Sequence, residues 1–431
     1  MPDKSIQENV PGYGGARAWA IWSLAALAFG YAFFHRVAPS VMVTDLMAEF
    51  AISGATLGVL SALYFYPYVI LQIPLGALLD VVATRILLAS ALGLAAIGSV
   101  VFGSATSIET AYIGRVLIGV GSSVGFLGAL TLAGQWFPMN RFALLSGLTM
   151  FIAMMSGIFA QAPLAIFIET FGWRASMWGL GAAGAILAGV ILAVVRNAPR
   201  PSEEPKEHSD IWKNMWHGLA RAAKSKEVWK IALVAATMSG PMLTLGGLWG
   251  TPYLMSTYGL ERSEAAFYAS LILFGWAFGA PSSGWLSDKL RNRKGLLVAG
   301  SALLSLSLGL IVVLPNMPLW LTVGLFLTMG ASGSAMVTSF ALVREVSAPE
   351  IGGSVVGIVN SMTVASGALL QPLVGALLDA QWSGAVIDGA RVYSASDFRW
   401  SFSIVFLSTL VGFVTSLTLK KNRDDPVISR S

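Results

Sequence analysis

Two arginines stand where charge is costly. Arg36 and Arg115 lie inside apolar stretches long enough to cross a bilayer. At 1.5 Å per helical residue they lie roughly 10 Å and roughly 8 Å below the nearer edge of their stretches. A charged side chain at such depth costs about 2.5–3.5 kcal/mol on insertion scales, so it marks a functional position by default. The planar guanidinium fork suits a carboxylate or phosphate. Asp45, Glu49 and Glu109 lie at the edge, and no acid shares the depth of either arginine. The competing reading is that each arginine reaches those edge carboxylates or bonds backbone carbonyls. His35, beside Arg36, could carry a coupling proton or simply pack as a polar residue.

The elements that must hold these residues are helices. The chain has 431 residues, 55% of them hydrophobic and only 11% charged. Twelve apolar runs cover 19–43, 57–79, 86–106, 110–133, 142–168, 174–195, 229–256, 264–286, 295–315, 318–343, 353–378 and 398–419. Runs of this length read as membrane helices, and no short alternating strands suggest a barrel. The expected fold is an all-α polytopic membrane protein, with twelve transmembrane helices as two pseudo-symmetric six-helix bundles. The expected units are 1–195, a cytoplasmic linker at 196–228, and 229–431. The polar residues 1–14 do not read as a cleavable signal peptide. Absence of cysteine excludes disulfides and thiolate chemistry. No metal and no cofactor are expected.

The net charge of +5 reports orientation rather than a nucleic-acid partner. With the N-terminus inside, the basic residues cluster at Lys4, Arg17, Arg85 and Arg141, from Arg196 to Lys230, from Lys289 to Lys294, at Arg344 and from Lys420 to Arg430. Arg174, Arg262, Arg391 and Arg399 fall at outside and boundary positions. The positive-inside rule then places both termini in the cytoplasm. Within the linker, Ile211, Met215 and Leu219 share a helical face with Trp212 and Trp216 beside them, which suits a helix lying in the membrane interface.

The segment GALLD occurs at Gly76–Asp80 and at Gly375–Asp379. The two copies are not repeat partners. Gly76–Asp80 aligns with Gly284–Asp288, Pro138 with Pro349, and Gly147 with Gly357; Gln161 and Gln371 lie 210 positions apart. A six-helix unit therefore repeats, and the two GALLD copies fall at opposite sides of the membrane.

These motifs resemble the major facilitator superfamily over essentially the whole chain. Gly76-x-Leu78-x-Asp80 with Arg85 is similar to its loop motif between helices 2 and 3. Gly284-x-Leu286-x-Asp288-Lys289 with Arg293-Lys294 is the fuller copy between helices 8 and 9. Arg115-x-x-x-Gly119-x-Gly121 and the Gly157–Pro163 pair resemble motifs of its helices 4 and 5. In the first copy Val81, Ala83 and Thr84 replace the usual basic residues and glycine. The resemblance implies cytoplasmic latches, Asp80 against helix 11 and Asp288 against helix 5, with Arg85, Lys289 and Arg293 in the gating set. The stretches YAFFHRVAPSVM and YFYPYVILQIPLG resemble the superfamily's organic-anion branches, where a helix 1 arginine serves the anion. His35 stands where those branches often carry an acid, so their proton-coupling scheme does not transfer.

Tyr31, Tyr64, Tyr68, Gln72, Gln161, Trp249, Tyr253, Asn360 and Gln371 suit a cavity wall, and Pro241, Gly246, Gly247, Gly250 and Pro252 interrupt helix 7. Asn360 and Gln371 serve equally well as interhelical hydrogen-bond glue. No nucleophile, metal cluster or carboxylate pair points to an enzyme, and no Walker A sequence points to ATP drive. The expectation is a monomeric inner-membrane secondary transporter among membrane lipid. It would import a small organic solute, an organic anion by preference, with a proton or other ion as coupling partner. A neutral aromatic metabolite such as a vitamin is the alternative substrate, and a non-transporting receptor the alternative class.

Overall fold

A computed structural model describes residues 14–196, 208–348 and 351–420, without the side chains of residues 73, 76, 77, 80, 81, 139, 143 and 208–215. Inside hydrocarbon a backbone must satisfy its own polar groups, and a helix does so within one segment. Among the described residues eleven stretches are long and apolar enough to span a membrane. The longest, Asn140–Val194, holds two spans, which brings the count to the expected twelve.

Span 1 is Ala16–Val37 and span 3 is Thr84–Gly103. Span 2 is split into Gly54–Ala62 and Phe65–Val81, and span 4 into Ile108–Ser122 and Gly125–Trp136. Span 5 is Met139–Phe159 plus the first turns of Ala162–Val194, whose remainder is span 6. The chain swings between them at Gly172, whose φ of 80° and ψ of 160° suit glycine alone. In the second bundle span 7 comprises Lys226–Pro241, Met242–Trp249 and Gly250–Tyr258. Span 8 is Arg262–Leu290 and span 9 is Arg293–Val313. Span 10 begins as Leu319–Gly333 and ends as Thr338–Glu345, span 11 is Gly352–Gln381, and span 12 is Ala395–Leu417.

The starts of spans 1 and 7 and the ends of spans 6 and 12 define one face, called here the linker face; the other is the far face. The expected interruption of span 7 is a π-helix of 8 residues, Met242–Trp249. The linker segment contributes the helix His208–Ala223. On the far face, the strands Val386–Ile387 and Ala390–Arg391 form the lone β-hairpin among the described residues.

Helix ends are closed chemically. Ser53, Ser107 and Ser225 cap helix starts by accepting from the N–H three residues on, and Ser394 with Asp397 makes a reciprocal capping box. At the end of span 12 the Lys294 ammonium donates to the carbonyls of Leu417 and Leu419, a cation at the negative end of a helix dipole. Span 2 packs along span 11 and makes the long seam between the bundles. That seam needs small residues: a Cβ on Gly58 would lie 2.6 Å from the Gln371 carbonyl oxygen.

Candidate functional site

Arg36 sits in the last turn of span 1 with 6% of its surface exposed. Its Cζ lies 4.7 Å from the Phe33 ring centre, 5.2 Å from Tyr68, 5.6 Å from Tyr64 and 5.8 Å from Phe65. Four rings thus surround one guanidinium, and each cation–π contact contributes about 0.5–2 kcal/mol. Its Nε has no hydrogen-bond partner. Among the described residues no carboxylate pairs with it. A buried cation without a counter-charge is costly, and ring faces return only part of that cost.

Arg115 has the opposite environment. Span 2 breaks after Ala62, and its last-turn carbonyls lose the regular helical pattern, with Ser61 O keeping a 3.3 Å bond from the N–H of Tyr64. The Arg115 fork donates to two of them, Ser61 at 3.1 Å and Leu60 at 3.4 Å, and to His35 O at 3.0 Å in the last turn of span 1. One cation therefore closes two helix C-termini, where the dipoles favour positive charge. Its Cζ lies 5.3 Å from the Tyr64 ring centre, and the Tyr64 hydroxyl donates to Ala32 O at 2.9 Å. Arg115 and Tyr64 brace the backbone that carries Arg36. Gly119, one turn on, lets span 4 approach the Tyr64 carbonyl so closely that any Cβ would collide with it.

His35 faces away from Arg36. It is fully buried, with Nε2 3.1 Å from Ser99 Oγ and its ring edge-on to Tyr31 at 4.6 Å. The Tyr31 hydroxyl donates to Leu180 O at 3.0 Å. These two residues join spans 1, 3 and 6 within the first bundle. Tyr68 stacks on Tyr64 at 6.1 Å. Gln72 donates to Ser123 O at 3.2 Å and accepts from Asn360 Nδ2 across the bundle seam at 3.1 Å. Trp249 is fully buried and donates to Gln371 O at 3.0 Å. Tyr253 packs among Phe326, Phe398 and Phe402 inside the second bundle. Arg36, Tyr64, Tyr68 and Gln72 therefore form one group at the seam with Asn360. His35 and Tyr31 lie behind it, and Trp249 and Tyr253 lie in the second bundle.

The bundles meet tightly at the far face. Asp379 accepts from Gly54 N at 2.9 Å and from Ala55 N at 2.8 Å. Arg262 pairs with Asp45 at 2.8 Å and donates to Thr44 Oγ1 at 3.0 Å. Arg174 pairs with Glu49 through both amino groups within the first bundle, and those bonds hold the Glu49 carboxyl below its ordinary range. Between the bundles lies a cavity of about 510 Å³, lined by Thr44, Asp45, Arg262, Arg391 and Tyr393 among others.

At the linker face Asp288, Lys289 and Arg293 make contacts within their own bundle. The Asp288 side chain is 75% exposed and lies 3.5 Å from Arg293, which bonds Glu345 at 2.5 Å. Lys289 covers the Trp285 ring at 4.7 Å, and Arg85 is half-buried. The side chain of Asp80 lies outside the described residues, as do those of Ile211, Trp212 and Met215. The sequence reading missed Phe33 and Phe65 of the ring box, because nothing separates them from ordinary core aromatics. It also missed Asp379 as a cross-bundle contact, although the second GALLD was its signal.

The two bundles thus join at the far face, and a buried cation lies beside their seam. Similar architecture is found in a bacterial homologue of the human lysosomal transporter Spinster, in an inward-facing, unoccupied conformation. The TM-score is 0.75 at 17% identity, over 94% of this chain and 98% of that one. A probable galactarate/D-glucarate transporter of Bacillus subtilis (strain 168) is 24% identical over 95% of each chain. A probable sulfoacetate transporter of Cupriavidus necator is 24% identical over 64% of this chain and 66% of its own length. The profile of the Major Facilitator Superfamily matches residues 23–249, which runs on into span 7, and again 243–430. With that doubled match on a doubled bundle, this multi-pass membrane chain belongs to the Major Facilitator Superfamily.

Proposed function

We propose that this protein is a secondary transporter that imports a small organic anion across a bacterial inner membrane by alternating access, coupled to a proton or another ion. One observation carries the substrate class: Arg36 is buried at the bundle seam without a carboxylate partner. An anion there would supply the missing counter-charge, and two parallel N–H donors suit a carboxylate or sulfonate. The named substrates of the two relatives, galactarate or D-glucarate and sulfoacetate, are such anions. Tyr64, Tyr68, Gln72 and Asn360 complete the wall, and Gln371 and Trp249 support it from the second bundle. The aromatic alternative is weaker, because Tyr64 and Tyr68 already lie against Arg36 and the Trp249 N–H is bonded.

In this reading the linker face is cytoplasmic, as the basic excess requires, and the units 1–195, 196–228 and 229–431 are bundle, linker with interfacial helix, and bundle. Fusions at residue 208 and at the C-terminus are expected to report cytoplasmic and a fusion at Gly389 external. His35 is the candidate for the coupling proton. Asp80, Arg85, Asp288, Lys289 and Arg293 act when the cytoplasmic side closes. The deciding experiment is thermal stabilisation of the purified protein by D-glucarate, L-tartrate and sulfoacetate against neutral sugars and nucleosides, since a bound ligand stabilises by mass action. Stabilisation by an anion in the wild type, lost in Arg36→Gln, is expected. Stabilisation by neutral rings alone overturns the anion reading.

A further inference from the structure

Gln161 and Gln371 stand at equivalent places of the two six-span units, 210 positions apart. Both are fully buried. Both direct the side-chain amide to the same target, the π-helix Met242–Trp249 of span 7. Gln161 Nε2 donates to Gly246 O at 2.8 Å, and Gln371 Nε2 donates to Leu243 O at 2.7 Å. A π-helix displaces the regular helical bonding pattern, so its carbonyls accept outside donors readily, and such segments concentrate at functional sites.

The two glutamines differ in one respect. Gln371 belongs to the same bundle as span 7, whereas Gln161 reaches across the seam from the other bundle. Its helix is broken there: Gln161 has φ −99° and ψ −111°, between Met139–Phe159 and Ala162–Val194. Its Oε1 also accepts from Thr251 Oγ1 across the seam at 3.2 Å and from Ser40 Oγ on its own side at 3.3 Å. One amide thus makes two hydrogen bonds between the bundles, both buried. When the far face opens, the bundles separate and both must break. The Gln371 bond travels with its own bundle and persists.

We infer that Gln161 is a positioning residue of the transport cycle: it clamps the π-helix of span 7 only while the far face is closed, and so sets the balance between the two access states. Gln371 is its counterpart within the bundle and preserves the π-helix in both states. The inference rests on alternating access but not on the identity of the substrate.

The test uses the natural absence of cysteine. Spin labels are attached to Thr106→Cys and Ser383→Cys, exposed positions in far-face loops of the two bundles, and their distance distribution is measured by electron–electron double resonance without ligand. Two buried hydrogen bonds are lost in Gln161→Leu, so the ratio of long to short distances is expected to rise about tenfold. Gln371→Leu is expected to lower the melting temperature and leave the distribution as in the wild type. Thr251→Val removes one of the two cross-bundle bonds and should give a smaller shift in the same direction, which keeps the test decisive if Gln161→Leu does not fold. A wild-type distribution in Gln161→Leu, or in Thr251→Val where Gln161→Leu is not recovered, overturns the inference; so does an equal shift in Gln371→Leu. Because no ligand is used, failure of the anion reading leaves the outcome readable.

Discussion

The carboxylate of Asp379, at the end of span 11, caps the first turn of span 2: Oδ1 accepts from the N–H of Gly54 at 2.9 Å, and Oδ2 from the N–H of Ala55 at 2.8 Å. Those N–H groups have no partner within their own helix, and the helix dipole favours an anion beside them. The Tyr393 hydroxyl donates to the same carboxylate at 2.6 Å, and Arg391 lies 3.2 Å away. Gly375 packs so closely on the Gly54 backbone that a Cβ would collide with its carbonyl oxygen. The second GALLD is thus a far-face clasp, with its glycine for approach and its aspartate for the helix end.

Replacing Asp379 with Asn keeps one acceptor and removes the charge. Hydrogen bonds to a charged partner contribute about 1.5–3 kcal/mol each, so Asp379→Asn is expected to destabilise the closed far face by about 2 kcal/mol. Thermal unfolding and the same pair of spin labels read this directly. An unchanged melting temperature with an unchanged distance distribution would contradict the clasp.

The clasp carries its own alkaline limit. Burial, then the bond to Asp379, hold the Tyr393 phenol protonated above its ordinary value of 10.0. A pKa raised by folding gives stability that is complete below the unfolded pKa and lost as pH rises through the folded one. Melting temperature should therefore fall as pH climbs above about 10, and the fall should be shallower in Tyr393→Phe, which starts lower and has no phenol to lose. Parallel curves for the two proteins would remove Tyr393 from the clasp.

The two membrane arginines should separate by assay. Arg36→Lys keeps the charge but not the fork, so anion uptake should drop at least tenfold yet persist, whereas Arg36→Gln should abolish it; neither should lower the melting temperature much. Arg115→Gln removes the side-chain donors of three backbone carbonyls, of which Ser61 O keeps a backbone donor in Tyr64 N–H, and should cost about 3 kcal/mol of stability. Normal stability with lost anion affinity in Arg115→Gln would instead make Arg115 a ligand.

Asp288, at the linker face, is largely exposed while the bundles join at the far face. Asp288→Asn should therefore leave ligand affinity within a few-fold and slow net transport strongly, since the carboxylate would act when the linker face closes. Asp80→Asn should have the smaller effect, because its loop lacks most basic partners. Transport at the wild-type rate in Asp288→Asn, at normal expression, sinks the latch.

What the sequence determined by itself was everything that depends on local composition. Twelve apolar runs had one way to satisfy their backbones, the 210-position repeat defined two bundles, and the prolines and glycines of span 7 announced its break. Arg36 and Arg115 were visible because charge in an apolar run is conspicuous at any distance along the chain. Their different surroundings were not visible. Whether a guanidinium meets ring faces or helix-end carbonyls depends on where span 2 breaks and which span packs over that break, and residues 54 positions apart must meet for Arg115 to bond Ser61. The same holds for Gln161 and Asp379, whose partners lie 85 and 325 positions away. Composition selects the helices because the bilayer acts on each segment separately. Tertiary structure selects the site because the hydrogen bonds that define it join segments no local rule connects.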